Sequence, residues 1–88
     1  MILQIKVKVK LATLKDFAEK LMSGQLDRTS IIGETYCEKS EPSVGLSYWQ
    51  VEDIEEFEKK FSSWKQFYES YEVKEVITAK EAMIVLFN

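Results

Sequence analysis

From Gln4 to Lys10 polar and branched apolar residues alternate without interruption. Side chains on a strand point to opposite faces in turn, so Leu3, Ile5, Val7 and Val9 share one face, and Gln4, Lys6, Lys8 and Lys10 the other. After Thr13 the period lengthens. Leu14, Phe17, Ala18, Leu21 and Met22 recur at intervals of three and four, the stripe of a helix lying on a sheet. Thr13 with Asp16 forms an acidic relative of the capping box, and Gly24 suits the position just past a helix end. A helix is predicted over Leu14 to Ser23. The segment IIGETYCE, Ile31 to Glu38, returns to strand composition, and so does VGLSYWQV, Val44 to Val51. Between them lies a turn around Pro42, which cannot donate to a ladder, so the two strands form a hairpin.

A second helix starts at Asp53, where Glu56 completes a capping box and Glu52 and Glu55 suit the positive end of the helix dipole. Ile54, Phe57, Phe61, Trp64, Tyr68 and Tyr71 continue its stripe, with Ser62-Ser63 as an interruption. The spacing predicts a helix to about Phe61 and a short further helix near Trp64 to Ser70. Glu72 to Thr78 reads as a fourth strand. Thr78 with Glu81 is a capping-box pattern ahead of AKEAMIVLF, although IVLF suits a strand equally. The order β-α-β-β-α-β over residues 1–88 predicts one α+β domain of ferredoxin-like plan, an antiparallel four-stranded sheet with two helices on one face.

Two helices cover only one face of such a sheet. Strand three is apolar at both parities, with Leu46 and Tyr48 pointing one way and Trp49 and Val51 the other. Large exposed apolar patches are uncommon on monomers, and self-association through the open sheet face as a two-fold dimer is the simplest way to cover one.

Charge and composition narrow the function. The net charge is -3 and the pI near 5.0, a poor field for nucleic acid. RNA-recognition domains share this element order but stack bases on rings of strands one and three. Strand one here offers Gln4 and lysines and no ring, so no nucleic-acid partner is expected. There is no apolar run of membrane-spanning length and no signal-peptide pattern, and the expected location is cytoplasmic. The chain has no histidine and one cysteine, Cys37. That removes the commonest general base and the usual zinc ligand, and no metal or cofactor is expected.

The second half, VGLSYWQVEDIEEFEKKFSSW and then YEVKEVITAKEAM, resembles a small family of unknown function within the dimeric α+β barrel, ferredoxin-like superfamily. The matching features are a strand after Gly45, the acidic pair Glu52-Asp53 capping a helix, Trp64 in a second turn, the extended Val73 to Val76, and the closing Glu81-Ala82-Met83. The resemblance implies a homodimer with the two sheets face to face and the helices outside. Relatives on this architecture include cofactor-independent monooxygenases, lactone isomerases and haem enzymes, and fold does not choose among them.

Nine of the eleven aromatic residues lie between Tyr36 and Tyr71. A helical aromatic stripe is usually core, but rings with polar tips also line cavities for flat ligands. Tyr36, Trp49, Trp64 and Tyr68 are the candidate liners. Lys6 and Lys8 either sit at the rim of the barrel, because an unpaired buried lysine is costly, or point inward to hold an anionic group. Cys37 on a strand reads as a small buried hydrophobe. Glu34 and Glu38, on one strand face, are an acid–base candidate or the partners of strand-one lysines. The pairs Glu55–Lys59 and Glu56–Lys60 mark a solvated helix face. Two function classes remain: a binder of a small aromatic or anionic molecule, extending to a cofactor-free monooxygenase-like or isomerase-like enzyme, and a non-catalytic association module without a pocket.

Overall fold

The computed structural model describes residues 1–88. Four strands, β1 (Ile2–Val9), β2 (Ile31–Cys37), β3 (Val44–Gln50) and β4 (Tyr68–Val76), form one sheet in the order β2-β3-β1-β4, with every neighbouring pair antiparallel. Helix α1 spans Leu14–Met22, α2 spans Ile54–Phe61 and α3 spans Ala79–Phe87; short 3-10 turns occupy Leu11–Thr13 and Lys65–Phe67. The structure is thus α+β with three helices rather than two.

The alternation of β1 sets the sheet's two faces. Leu3 and Ile5 are fully buried and opposite Trp49 and Ser47, whereas Gln4 and Lys6 are opposite Tyr48 and Leu46. Helices α1 and α2 cover the first face. The core there gathers Leu3, Ile5, Trp49, Val51, Phe57, Phe61, Trp64, Phe67 and Tyr68, with Phe17 and Leu21 of α1 packed against it. Burying each large side chain contributes roughly 1.5–3 kcal/mol.

The two covering helices are not equivalent. Helix α2 drives Phe57 and Phe61 completely into the core, while α1 has no fully buried residue and leaves Leu14 and Met22 exposed. The expected cap of α1 is also absent: Thr13 makes no side-chain cap bond, and its hydroxyl donates to the Lys10 carbonyl. At α2 the box forms. Asp53 Oδ1 accepts from the Glu56 N–H at 2.8 Å, and Glu56 Oε2 accepts from the Glu52 N–H at 2.7 Å. That second bond, assisted by Lys60, holds the Glu56 carboxyl below the usual carboxylate range. Of the two helix pairs, Glu56–Lys60 closes at 3.3 Å, and Glu55–Lys59 is not an ion pair. Replacing Asp53 by alanine is expected to lower stability by about 1 kcal/mol, the usual cost of losing an N-cap. Urea denaturation checks this, and an unchanged midpoint would mean that α2 does not depend on its box.

Two irregularities steer side chains. Gly33 has φ +67°, and the β2–β3 register shifts between Ile32 and Tyr36. In β4, Ser70 pairs with Lys8 but Tyr68 with Val9, so Glu69 is an extra residue. This bulge corrects the expected helix from Trp64 to Ser70. The chain makes one 3-10 turn and enters β4 at Tyr68, four residues earlier than the alternation at Glu72 suggests.

Helix α3 is anchored at its start as expected, Thr78 Oγ1 accepting from the Glu81 N–H at 3.1 Å. The helix is apolar nearly all round, yet it buries nothing. Val85, Leu86 and Phe87 are 68%, 75% and 79% exposed. An all-round apolar helix normally lies inside a protein. No helix is long and apolar enough to cross a membrane.

Candidate functional site

A cavity of about 220 Å³ lies between α1 and the sheet. Its wall is aromatic: Phe17 from α1, Phe61 at the end of α2, Trp64 from the turn that follows, Trp49 from β3 and Tyr68 from β4. Its floor is made of small residues, Cys37, Ser43, Gly45 and Ser47, at positions where the rest of the sheet carries large ones. Successive inward positions of β3 read Gly45, Ser47, Trp49. Only the last of these fills the space above the sheet.

The wall is rigid. Trp49 meets Phe57, Phe61 and Trp64 edge to face at centroid distances of 5.4, 5.8 and 5.6 Å. Phe17 packs on Phe67 at 5.0 Å and on Trp64 at 6.2 Å. Such pairs add about 0.5–1.5 kcal/mol each beyond burial.

Three polar tips belong to this wall. Trp49 Nε1 donates to Ser47 Oγ at 3.2 Å. The Trp64 indole N–H is buried and has no partner. The Tyr68 hydroxyl sits where burial pushes its pKa up, so it stays protonated through the physiological range and can donate. A buried donor left without an acceptor costs about 1–3 kcal/mol. Eleven of the sixteen lining residues are hydrophobic and none is acidic. Such a site can hold a flat ring and donate hydrogen bonds to its oxygens, and it offers no carboxylate or imidazole base.

The candidate liners divide between the two sides of the sheet. Trp49, Trp64 and Tyr68 meet at the cavity. Tyr36 is paired with Leu46 on the open face and is 65% exposed. Lys6 and Lys8 lie on that open face too, near a shallow hollow with Val44, Ser70 and Glu72. Lys8 is paired to Glu41 of the β2–β3 turn at 3.3 Å, rather than to Glu34 or Glu38, and neither of those acids forms an ion pair. Cys37 is exposed, a correction of its reading as a buried hydrophobe; β2 is an edge strand with a free side. Phe17, Phe61 and Arg28 are cavity residues that the chain pattern does not single out as a site. The legible signal for the cavity is the run of small residues Ser43, Gly45 and Ser47, the last two on the inward parity of β3.

No family model matches the chain, and no curated protein matches it. Among solved structures, it is similar to 5-chloro-2-hydroxyhydroquinone dehydrochlorinase (TftG) from Burkholderia phenoliruptrix AC1100, in complex with 2,5-dihydroxybenzoquinone. The TM-score is 0.58 at 12% identity, and the match covers 92% of this chain and 98% of that one. At this identity the likeness is one of fold.

Proposed function

We propose that the chain binds one planar aromatic or quinonoid molecule in the cavity under α1, and does so as a homodimer of ferredoxin-like α+β barrel type. The observation that carries the binding reading is a ring-sized cavity with an aromatic wall, one of whose lining residues, Trp64, keeps a buried N–H without a partner. A ligand carbonyl or hydroxyl oxygen would supply the missing acceptor. Cavities of about 150 Å³ take up benzene, so about 220 Å³ suits a single substituted ring. The fold neighbour, whose complex contains a dihydroxybenzoquinone, supports the same ligand class.

The chemistry available is electrostatic. Trp64 Nε1 and the protonated Tyr68 hydroxyl would polarise a ligand carbonyl, with the aromatic wall excluding water. Because no carboxylate or imidazole lines the cavity, the lining supports binding and polarisation of a ligand carbonyl rather than proton transfer. The assembly reading is supported by apolar residues on the open sheet face, among them Ile32, Tyr36, Leu46 and Tyr48, and by the uncovered helix α3. A second copy would cover both.

Calorimetric titration with 2,5-dihydroxybenzoquinone tests the binding reading. Saturation at one molecule per chain is expected, with Trp64→Phe weakening it about fivefold through the loss of one hydrogen bond. Absence of a saturable heat would overturn the reading in favour of an association module without a ligand.

A further inference from the structure

One charged group of the cavity has no partner inside the protein. Arg28, the sole arginine of the chain, lines the cavity from the segment between α1 and β2. It belongs to none of the three ion pairs. Its neighbour Asp27 is engaged elsewhere: Oδ1 accepts from the Thr29 hydroxyl at 2.6 Å and from the Thr29 N–H at 2.9 Å. Those two bonds, aided by Lys60, hold the Asp27 carboxyl below its usual range, so it stays an occupied anion. Since no aspartate or glutamate lines the cavity, the one formal charge on its lining is the guanidinium.

The backbone under Arg28 is pinned. Leu26 and Ser30, two residues to either side, are buried, and the Ile31 N–H donates to the Arg28 carbonyl at 3.1 Å. Ser30 Oγ in turn accepts from Lys60 Nζ at 2.7 Å, tying the segment to α2. Arg28 itself is exposed. A charged, five-donor head on a fixed root therefore stands at the mouth of an apolar chamber, with its hydrogen-bonding capacity uncommitted.

We propose that the ligand is an anion, an aromatic or quinonoid ring bearing a carboxylate or an acidic enolate, whose ring enters the cavity while its oxyanion pairs with Arg28. This rests on the cavity being a binding site and adds the charge and the orientation of what it binds. The planar guanidinium fork matches two oxygens of a carboxylate, or adjacent oxygens of an enolate, bidentately. An oxyanion brought to an apolar chamber without such a partner would lose its hydration uncompensated. Lys6 and Lys8 cannot serve, because they lie on the opposite face of the sheet. Bound this way, the ring lies along the aromatic wall that includes Trp64 and Tyr68.

The test is isothermal titration of the full chain with 4-hydroxybenzoate and with 4-hydroxybenzamide, which match in size and differ in charge. The same pair is run on Arg28→Gln and Arg28→Lys. The unaltered chain should prefer the acid by about tenfold, a normal return for a charge-assisted bidentate contact. Arg28→Gln should abolish that preference while leaving the melting temperature unchanged, and Arg28→Lys should retain part of it. Equal affinity for acid and amide, or an acid preference that survives Arg28→Gln, would overturn the assignment of Arg28 and leave the cavity standing as a site for neutral rings. Failure of both probes to bind would remove the aromatic-ring cavity reading, and this proposal with it.

Discussion

Replacing Phe61 by alanine is expected to cost about 3–5 kcal/mol, the range for deleting a fully buried ring. Phe61 is 1% exposed and joins both halves of the core. It stacks on Phe57 at 4.9 Å and on Tyr68 at 5.7 Å, and meets Trp49 and Tyr71 edge to face at 5.8 and 5.2 Å. No other side chain touches α2, β3 and β4 through rings in this way. Alanine here would also merge the deleted volume with the existing cavity, so little collapse can offset the loss. A domain of this length has total stability of roughly 4–13 kcal/mol, and the variant could fall below the folding threshold. Phe61→Leu, which keeps most of the volume, provides a measurable companion with an expected loss of about 1–2 kcal/mol. Both are read from urea denaturation at constant m-value. A loss below about 1 kcal/mol for Phe61→Ala would mean that the ring cluster does not hold α2 to the sheet.

A second large effect separates two adjacent residues. Tyr48 and Trp49 are neighbours on β3, yet the first faces outward, its hydroxyl donating to Gln4 Oε1 at 3.3 Å, and the second is 2% exposed beneath the helices. If two copies meet through the open face, Tyr48→Glu places two like charges near a two-fold axis. The dimer dissociation constant should rise at least about a hundredfold, as expected for burying an unpaired carboxylate. Folding should survive. Trp49→Glu should instead abolish folding, since its carboxylate would enter the core. Removal of residues 79–88 should leave the fold intact, because α3 buries nothing in its own chain, but it should weaken association. Sedimentation velocity over a concentration series reads all three. A dimer unaffected by Tyr48→Glu would defeat the face-to-face arrangement, and a strictly monomeric parent chain would defeat the dimer itself.

Much of the fold is legible in the chain because its signals are local. The alternation at Ile5 to Val9 and the Asp53–Glu56 box each need only a few neighbouring residues, and both are present as read. The start of β4 is not legible for a definite reason. Trp64, Phe67, Tyr68 and Tyr71 have the three- and four-residue spacing of a helix stripe. The extra residue Glu69 lets Tyr68 and Tyr71 share one strand face at a spacing of three, which mimics a helical interval. Period alone cannot distinguish the two when a bulge intervenes.

The lining of the cavity was legible only in part. Trp49, Trp64 and Tyr68 could be picked as ring-bearing liners from their density, but their meeting place could not. It depends on how α1 packs on the sheet, a property of contacts between distant segments. Tyr36, Lys6 and Lys8 look equivalent to the others in sequence and come out on the far face once the register is fixed. Arg28 carries no pattern at all. It matters through what it lacks, a counter-ion, and that is visible only when the carboxylates around it are placed.

If a ligand oxygen completes the cavity under α1 at the Trp64 N–H, the indole signals will report it. The chain has two tryptophans, so a 15N-correlation spectrum should show two indole N–H signals, one bonded to Ser47 and one without a partner. Titration with 2,5-dihydroxybenzoquinone should move the Trp64 signal downfield and saturably, as a new hydrogen bond forms, with a smaller change at Trp49. Two indole signals that stay in place up to millimolar quinone would show that no ligand oxygen reaches the Trp64 N–H.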